Sequence, residues 1–259
     1  MTLTAHRVFE TMGTVATVDV CDVSPPGAAE RAIDTLVAEL ERLEQIFSTY
    51  RRSSEISRIN RGDLDVRHAS PEVRDVLVAC AWLERDSGGV FRMHPPEQPD
   101  SIDPSGYVKG WATERAARSL LAAGLHNWCV NVGGDLVARG RPEPSRPWRA
   151  AIRDPRDGQR VALVIDVDDR AVATSGTYER GQHLWDGRTG ARESRVASLT
   201  VVGPRLAWVD AFATAAVVMG HDGIEWVAAH DDYEALAITD DGAMWMSPGF
   251  DPLIAKGEV

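Results

Sequence analysis

Trp128-Cys-Val-Asn-Val-Gly133-Gly134-Asp-Leu-Val-Ala138 reads as a strand, a glycine turn and a returning strand. Working outward, the segment before it reads as a helix through Lys109 to about Ala123, stopped at Gly124, a residue that readily takes the left-handed conformation ending a helix. After it come further strand patterns at Trp148–Arg153, Val161–Val167, Ala171–Thr174 and Ser198–Val202. A helix is expected over Val209–Met219 and a shorter one near Gly223–Ala229. Glu234–Thr239 and Ala243–Met246 look like a closing hairpin around Asp240-Asp241-Gly242.

Toward the amino terminus, Thr14 to Cys21 alternates as a strand does, and Pro25-Pro26-Gly27 breaks the pattern. Ala29, Ile33, Leu36, Leu40, Leu43 and Phe47 recur three and four apart, the mark of an amphipathic helix. Pro71 opens another helix, with Val73, Val76, Leu77, Cys80 and Leu83 on its buried face and Gly88-Gly89 at its end. Strands and helices do not alternate regularly. That argues for an α+β fold with mixed, mostly antiparallel sheets and packed helices, not a doubly wound parallel sheet. No repeat, low-complexity segment or linker stands out, so one domain over residues 1–259 is expected, with Pro95–Asp103 as a loop.

Composition narrows the function. The chain has 259 residues, is 44% apolar and carries a formal net charge of −11. The length and apolar content allow a sizeable core. The acidic balance argues against a general nucleic-acid binder, which needs basic patches. Cys21, Cys80 and Cys129 are far apart and odd in number, which supports neither a disulfide framework nor a zinc site. They read as small core residues. No apolar signal region opens the chain and no apolar run is long enough to span a bilayer, so a soluble, cytoplasmic protein without a transmembrane segment is expected.

Asp103-Pro-Ser-Gly-Tyr-Val-Lys109-Gly-Trp-Ala brings a carboxylate, a glycine and a lysine into a helix start. Unpaired N–H groups and a partial positive charge there suit anions, which suggests a phosphorylated ligand. The stretch matches neither a P-loop nor a Rossmann fingerprint. Asp210-Ala-Phe-Ala-Thr214 puts a carboxylate and a hydroxyl on one helix face, two oxygens suited to Mg²⁺. Equally, Asp210 could cap its helix and Thr214 bond back to the helix backbone. His183, in Gly181-Gln-His183-Leu-Trp-Asp186, could accept a proton from an attacking hydroxyl or be a satisfied structural residue. Asn131-Val-Gly-Gly-Asp135 is a tight turn that could pack under a ligand. Tyr50 could stack on a heteroaromatic ligand or cap the core.

Taken in order, these segments are more specific than any one alone. They run Met12-Gly-Thr; Ser48-Thr-Tyr50 with Ser54-Glu-Ile and Asn60; Asp103, Gly106 and Lys109-Gly-Trp-Ala; Asn131-Val-Gly-Gly-Asp135; Ala173-Thr-Ser-Gly-Thr-Tyr178; His183, Asp186 and Thr189-Gly190; and Asp210-Ala-Phe-Ala-Thr214. Over nearly the whole chain the series resembles the ApbE-type FAD:protein FMN transferases. The resemblance implies an ApbE-like, T-fold-related architecture. It also implies a Mg²⁺-dependent reaction that splits FAD at its pyrophosphate, attaches FMN through a phosphoester to a Ser or Thr of an acceptor protein, and releases AMP. By matching motif, Met12 and Tyr50 would line the flavin or adenine pocket, and Asp103 and Lys109 would hold FAD. Asp210, Thr214 and the Gly106 carbonyl would face the metal. His183 would contact FAD and activate the acceptor hydroxyl.

Where family members usually have an Asp-containing stretch, this chain has Phe91-Arg-Met-His94; Phe91 and Met93 are expected to meet FAD through the backbone. The loop from His94 to Asp103 is short, Gly187 stands where a proline is common, and the exported or lipid-anchored leader of many relatives is not seen. Two other readings keep the same site: a Mg²⁺-dependent FAD pyrophosphatase that uses water as acceptor, and a non-catalytic FAD-binding protein.

Overall fold

The computed structural model describes residues 4–22, 24–176, 185–191, 194 and 196–256. Strands β1 (Ala5–Thr11) and β2 (Thr14–Val20) form an antiparallel hairpin. Its turn, Met12-Gly13, has φ of 50° and 72°, the positive pair that a two-residue hairpin with the native strand twist requires. The sequence pattern hides β1 because it is an edge strand that alternates half-buried with exposed positions and turns Val8 to solvent.

Four helices follow: α1 (Ala28–Phe47), α2 (Glu55–Asn60), α3 (Pro71–Asp86) and α4 (Ser105–Ala122). The buried residues of α1 are those of its apolar stripe, with Ala32 added. Short α2 escapes a periodicity search, but its start is capped by buried Ser54, whose hydroxyl accepts the Ser57 N–H at 3.0 Å. Ser70 caps α3 in the same way.

The carboxy-terminal half supplies β3 (Trp128–Val132), β4 (Asp135–Arg139), β5 (Trp148–Asp154), β6 (Asp157–Val167), β7 (Ala171–Gly176) and β8 (Ser198–Gly203). Helices α5 (Leu206–Met219) and α6 (His221–Ala228) come next, then β9 (Glu234–Ile238) and β10 (Met244–Met246). Eight strands pair in the order β1-β2-β3-β4-β7-β8-β9-β10, and β5-β6 is a separate ribbon. Every pairing of these strands is antiparallel, the α+β arrangement the sequence suggests.

Three layers result. Val137, Ala171, Ala173, Ala235 and Ala237 face the helices in one core, while their neighbours Leu136, Ala138, Val172, Leu236 and Ile238 face the β5-β6 ribbon in a second. Successive strand residues point to opposite faces, so the central strands are largely apolar on both faces. In β5, buried and exposed positions alternate strictly because only one face is covered. Cys80 is buried in the helical core, where burial pushes its thiol up to about 12. Cys21 and Cys129 are half-buried against the second core. Among the described residues, no helix is long and apolar enough to cross a membrane.

Candidate active site

Helices α4 and α5 approach closely at Gly110, where α4 carries no side chain. A Cβ on Gly110 would lie 2.5 Å from the Leu206 carbonyl oxygen and 2.8 Å from Asp210 Cβ. With only hydrogen there, Asp210 reaches across and its Oδ2 accepts the Gly110 N–H at 2.8 Å. Asp210 therefore does not cap its own helix. The start of α5 is held from α4 instead, through Glu114, which accepts from the Ala207 N–H at 3.2 Å and from Arg205 at 3.1 Å. Thr214 bonds back to the backbone, donating to the Asp210 carbonyl at 3.1 Å. That bond uses the hydroxyl's proton and leaves its lone pairs available.

Lys109, next to the crossing, points its ammonium at two carboxylates. One is Asp135, in close contact; the other is Asp210 Oδ1 at 3.3 Å. Both carboxylates are buried, at 3% and 4% exposure. Asp135 begins β4, directly after the Gly133-Gly134 turn, whose φ angles are 62° and 98°. Asn131 secures that turn by accepting the Gly134 N–H at 3.0 Å. Gly133 lies against the other hairpin: its N–H donates to the Val15 carbonyl at 3.0 Å, and a Cβ would meet Thr14 at 2.9 Å.

The remaining candidates extend this row in both directions. A Cβ on Gly106 would lie 3.4 Å from Thr214 Cγ2 and 3.0 Å from the Phe91 ring, so the start of α4, α5 and the Phe91 segment meet there. Phe91 is itself buried, and its ring is core rather than an open stacking surface. Met93 is partly buried against the same core, and its carbonyl accepts the Asp103 N–H at 2.7 Å. One Asp103 oxygen accepts from the Ser105 backbone at 3.0 Å and from the Ser105 hydroxyl, tying the carboxylate to the first residue of α4. At the other end, Met12 lines a groove of ≈ 540 Å³ with Glu10, Thr11, Gly13, Thr14, Val15 and Glu44. Tyr50 is 95% exposed beyond the end of α1, which rules out the core-capping role. His183 lies outside the described residues.

Some residues of the quoted motifs prove architectural. Asn60 pins Ile102 from both sides, donating to its carbonyl at 2.9 Å and accepting its N–H at 2.8 Å. Gly187 is required where it stands, because a Cβ would come within 2.4 Å of the Gly89 carbonyl oxygen; its N–H donates to the Val90 carbonyl at 2.8 Å. Sequence reasoning quoted Asp135 without giving it a role, and it passed over Glu44, whose carboxylate accepts the Met12 N–H at 3.4 Å.

The donors around Asp210 fit magnesium. No group of three His, Cys, Asp or Glu suited to a metal occurs among the described residues. Apart from Asp135, which pairs with Lys109, what lies together is the Asp210 carboxylate and the Thr214 hydroxyl, both oxygen donors, beside Gly106 in the first turn of α4. Mg²⁺ keeps several waters and takes one or two carboxylates, whereas zinc favours nitrogen and sulfur.

The ApbE family pattern matches residues 12–95 and 93–237. A Vibrio cholerae serotype O1 protein named FAD:protein FMN transferase is 30% identical over 97% of this chain and 93% of its own length. A Rhodobacter capsulatus protein of the same name is 37% identical over 57% of this chain, an alignment spanning 30% of the relative. Among solved structures, the flavin transferase ApbE from Vibrio cholerae superposes with a TM-score of 0.83 at 26% identity, over 96% of this chain and 98% of that one. The apo flavinyl transferase ApbE of Pseudomonas stutzeri gives 0.83 and 26%, over 99% and 98%. A Thermotoga maritima ApbE structure, at 21% identity, gives 0.86 over 97% and 99% and bears on the fold alone. With its family pattern, its whole-length relative and its architecture in agreement, the chain belongs to the ApbE family.

Proposed function

We propose that this chain, acting as one domain over its whole length, is a Mg²⁺-dependent flavin transferase that splits FAD and passes FMN to a Ser or Thr hydroxyl of an acceptor protein, releasing AMP. The observation that carries the reading is the unbroken row from Met12 and Thr14 through Gly133 and Asp135 to Lys109, Asp210, Thr214, Gly106 and Phe91. Segments remote in sequence converge on two buried carboxylates, Asp135 and Asp210, that share one ammonium beside a helix start.

Phosphoryl transfer needs positioning and charge neutralisation more than covalent help, and the roles divide accordingly. Asp210, Thr214 and the Gly106 carbonyl are the donors for the metal. In a regular helix the Gly106 carbonyl accepts the Gly110 N–H; here Asp210 competes for that N–H, which favours an outward role for the carbonyl. A bound Mg²⁺ supplies charge neutralisation at the diphosphate. Lys109 adds a full positive charge at the same end of α4, and the N–H groups of its first turn suit the phosphates. Asp103 holds FAD at that helix start, Met12 and exposed Tyr50 offer an apolar edge and a stacking face to its rings, and the backbone at Phe91 and Met93 closes the opposite end. His183 takes the acceptor's proton as its oxygen bonds to the FMN phosphorus. The bridging P–O bond breaks, and its electron pair leaves with AMP.

The test is incubation of the purified chain with FAD and a Ser/Thr-bearing acceptor, with and without Mg²⁺. The expected result is Mg²⁺-dependent AMP release with an acceptor heavier by one FMN. Free FMN with AMP identifies water as the acceptor, and FAD binding without AMP release overturns the enzymatic reading.

A further inference from the structure

Asp135 has no place among the donors just assigned, although it is nearly fully buried and in contact with Lys109. The two oxygens of Asp210 are not equivalent. Oδ2 is engaged by the Gly110 N–H, so Oδ1 is the oxygen left for a cation, and Oδ1 is also the atom 3.3 Å from the Lys109 ammonium. An ammonium and a divalent cation cannot share that oxygen without strong repulsion, since a partly buried site screens charge poorly. Asp135 offers the ammonium another seat, on strand β4 and not on Asp210's helix. It is a rigid seat, because the β3-β4 turn is fixed by Asn131 and packed on Thr14. We infer that Asp135 is a positioning residue, the counter-ion that draws Lys109 off Asp210 and leaves that carboxylate open to the metal. The inference rests on the flavin-transferase reading and deepens it.

Mn²⁺ binding to the full-length protein, read from the electron paramagnetic resonance of free Mn²⁺ without FAD, provides the test. The half-saturating Mg²⁺ for AMP release is read alongside. Loss of an outer partner of a metal ligand typically lowers metal affinity about 10–100-fold, and Asp135→Asn is expected to do so, since among the described residues Asp210 is then the carboxylate left to pair with Lys109. Lys109→Gln in the Asp135→Asn background removes the competitor and is expected to return Mn²⁺ binding to the wild-type range. Recovery also shows that the site still folds without Asp135. Wild-type affinity in Asp135→Asn overturns the inference. So does a double variant as weak as the single one, which would make Asp135 a direct ligand or a scaffold. A wild-type protein that neither binds Mn²⁺ nor releases AMP overturns the flavin-transferase reading itself, and the inference with it.

Discussion

Gly110 shows how much of the site depends on a missing methyl group. An alanine there would drive a carbon into the Leu206 carbonyl and the Asp210 side chain, both anchored in α5. Overpacking of this kind costs about 1–3 kcal/mol, so Gly110→Ala is expected to lower the melting temperature and to weaken Mn²⁺ binding together. A lowered melting temperature with unchanged metal affinity would show that the α4-α5 crossing does not set the Asp210 geometry. His183, as the proton acceptor proposed above, calls for the opposite signature. A general base contributes about 10²–10⁴-fold, so His183→Ala should slow AMP release by that factor while FAD affinity, measured by flavin fluorescence quenching, is retained. Residue types and short spacings made the Asp210–Thr214 pair and the Lys109 helix legible in the sequence. Gly110 and Asp135 were not legible in the same way, because their meaning lies in partners far along the chain, 100 residues away for the bond between Gly110 and Asp210.

The helices are tied to one another by charge as well as by apolar contact. Glu39 on α1 accepts from Arg42 at 2.8 and 2.9 Å and from Arg115 on α4 at 2.9 Å, and Glu72 on α3 pairs with both arginines. The Arg42 hydrogen bonds, followed by that from Arg115, hold the Glu39 carboxyl at about 2 against an ordinary 4.5, with partial burial opposing them. A carboxylate depressed in the folded state stabilises above its unfolded pKa, and that contribution is lost as the pH falls through the folded value. Glu39→Gln is therefore expected to lower the urea midpoint at neutral pH. The gap from wild type should close between pH 4.5 and about 2, and a gap independent of pH would refute the linkage. At this scale the long amphipathic helices and the buried strands were readable from their periods. Edge strand β1 was not, since solvent on one side removes the apolar constraint, and α2 is too short to show a period and is recognisable mainly through its Ser54 cap.

The eight-stranded sheet keeps two chemically different jobs apart. Its helical face carries the candidate site, and its other face packs on the β5-β6 ribbon around Phe250, which is fully buried. Phe250→Ala is expected to cost about 3–5 kcal/mol, seen as a lower unfolding midpoint. Mn²⁺ affinity should stay unchanged below that midpoint, and a parallel loss of metal binding would mean that the second core shapes the site. The irregular order of strand and helix patterns announced the α+β class. It could not announce the strand order, which is decided by long-range pairing. That pairing sets a schedule for the nascent polypeptide. The first hairpin finds its lateral partner only in β3, where Ala16 stands opposite Val132. Closing so long a loop is entropically costly and slow, and translation delivers the partner strand only after all four amino-terminal helices have been made. Until the ribosome has passed Val132, the β1-β2 hairpin has an unclaimed flank, and a transient shield from a chaperone is most useful during that interval.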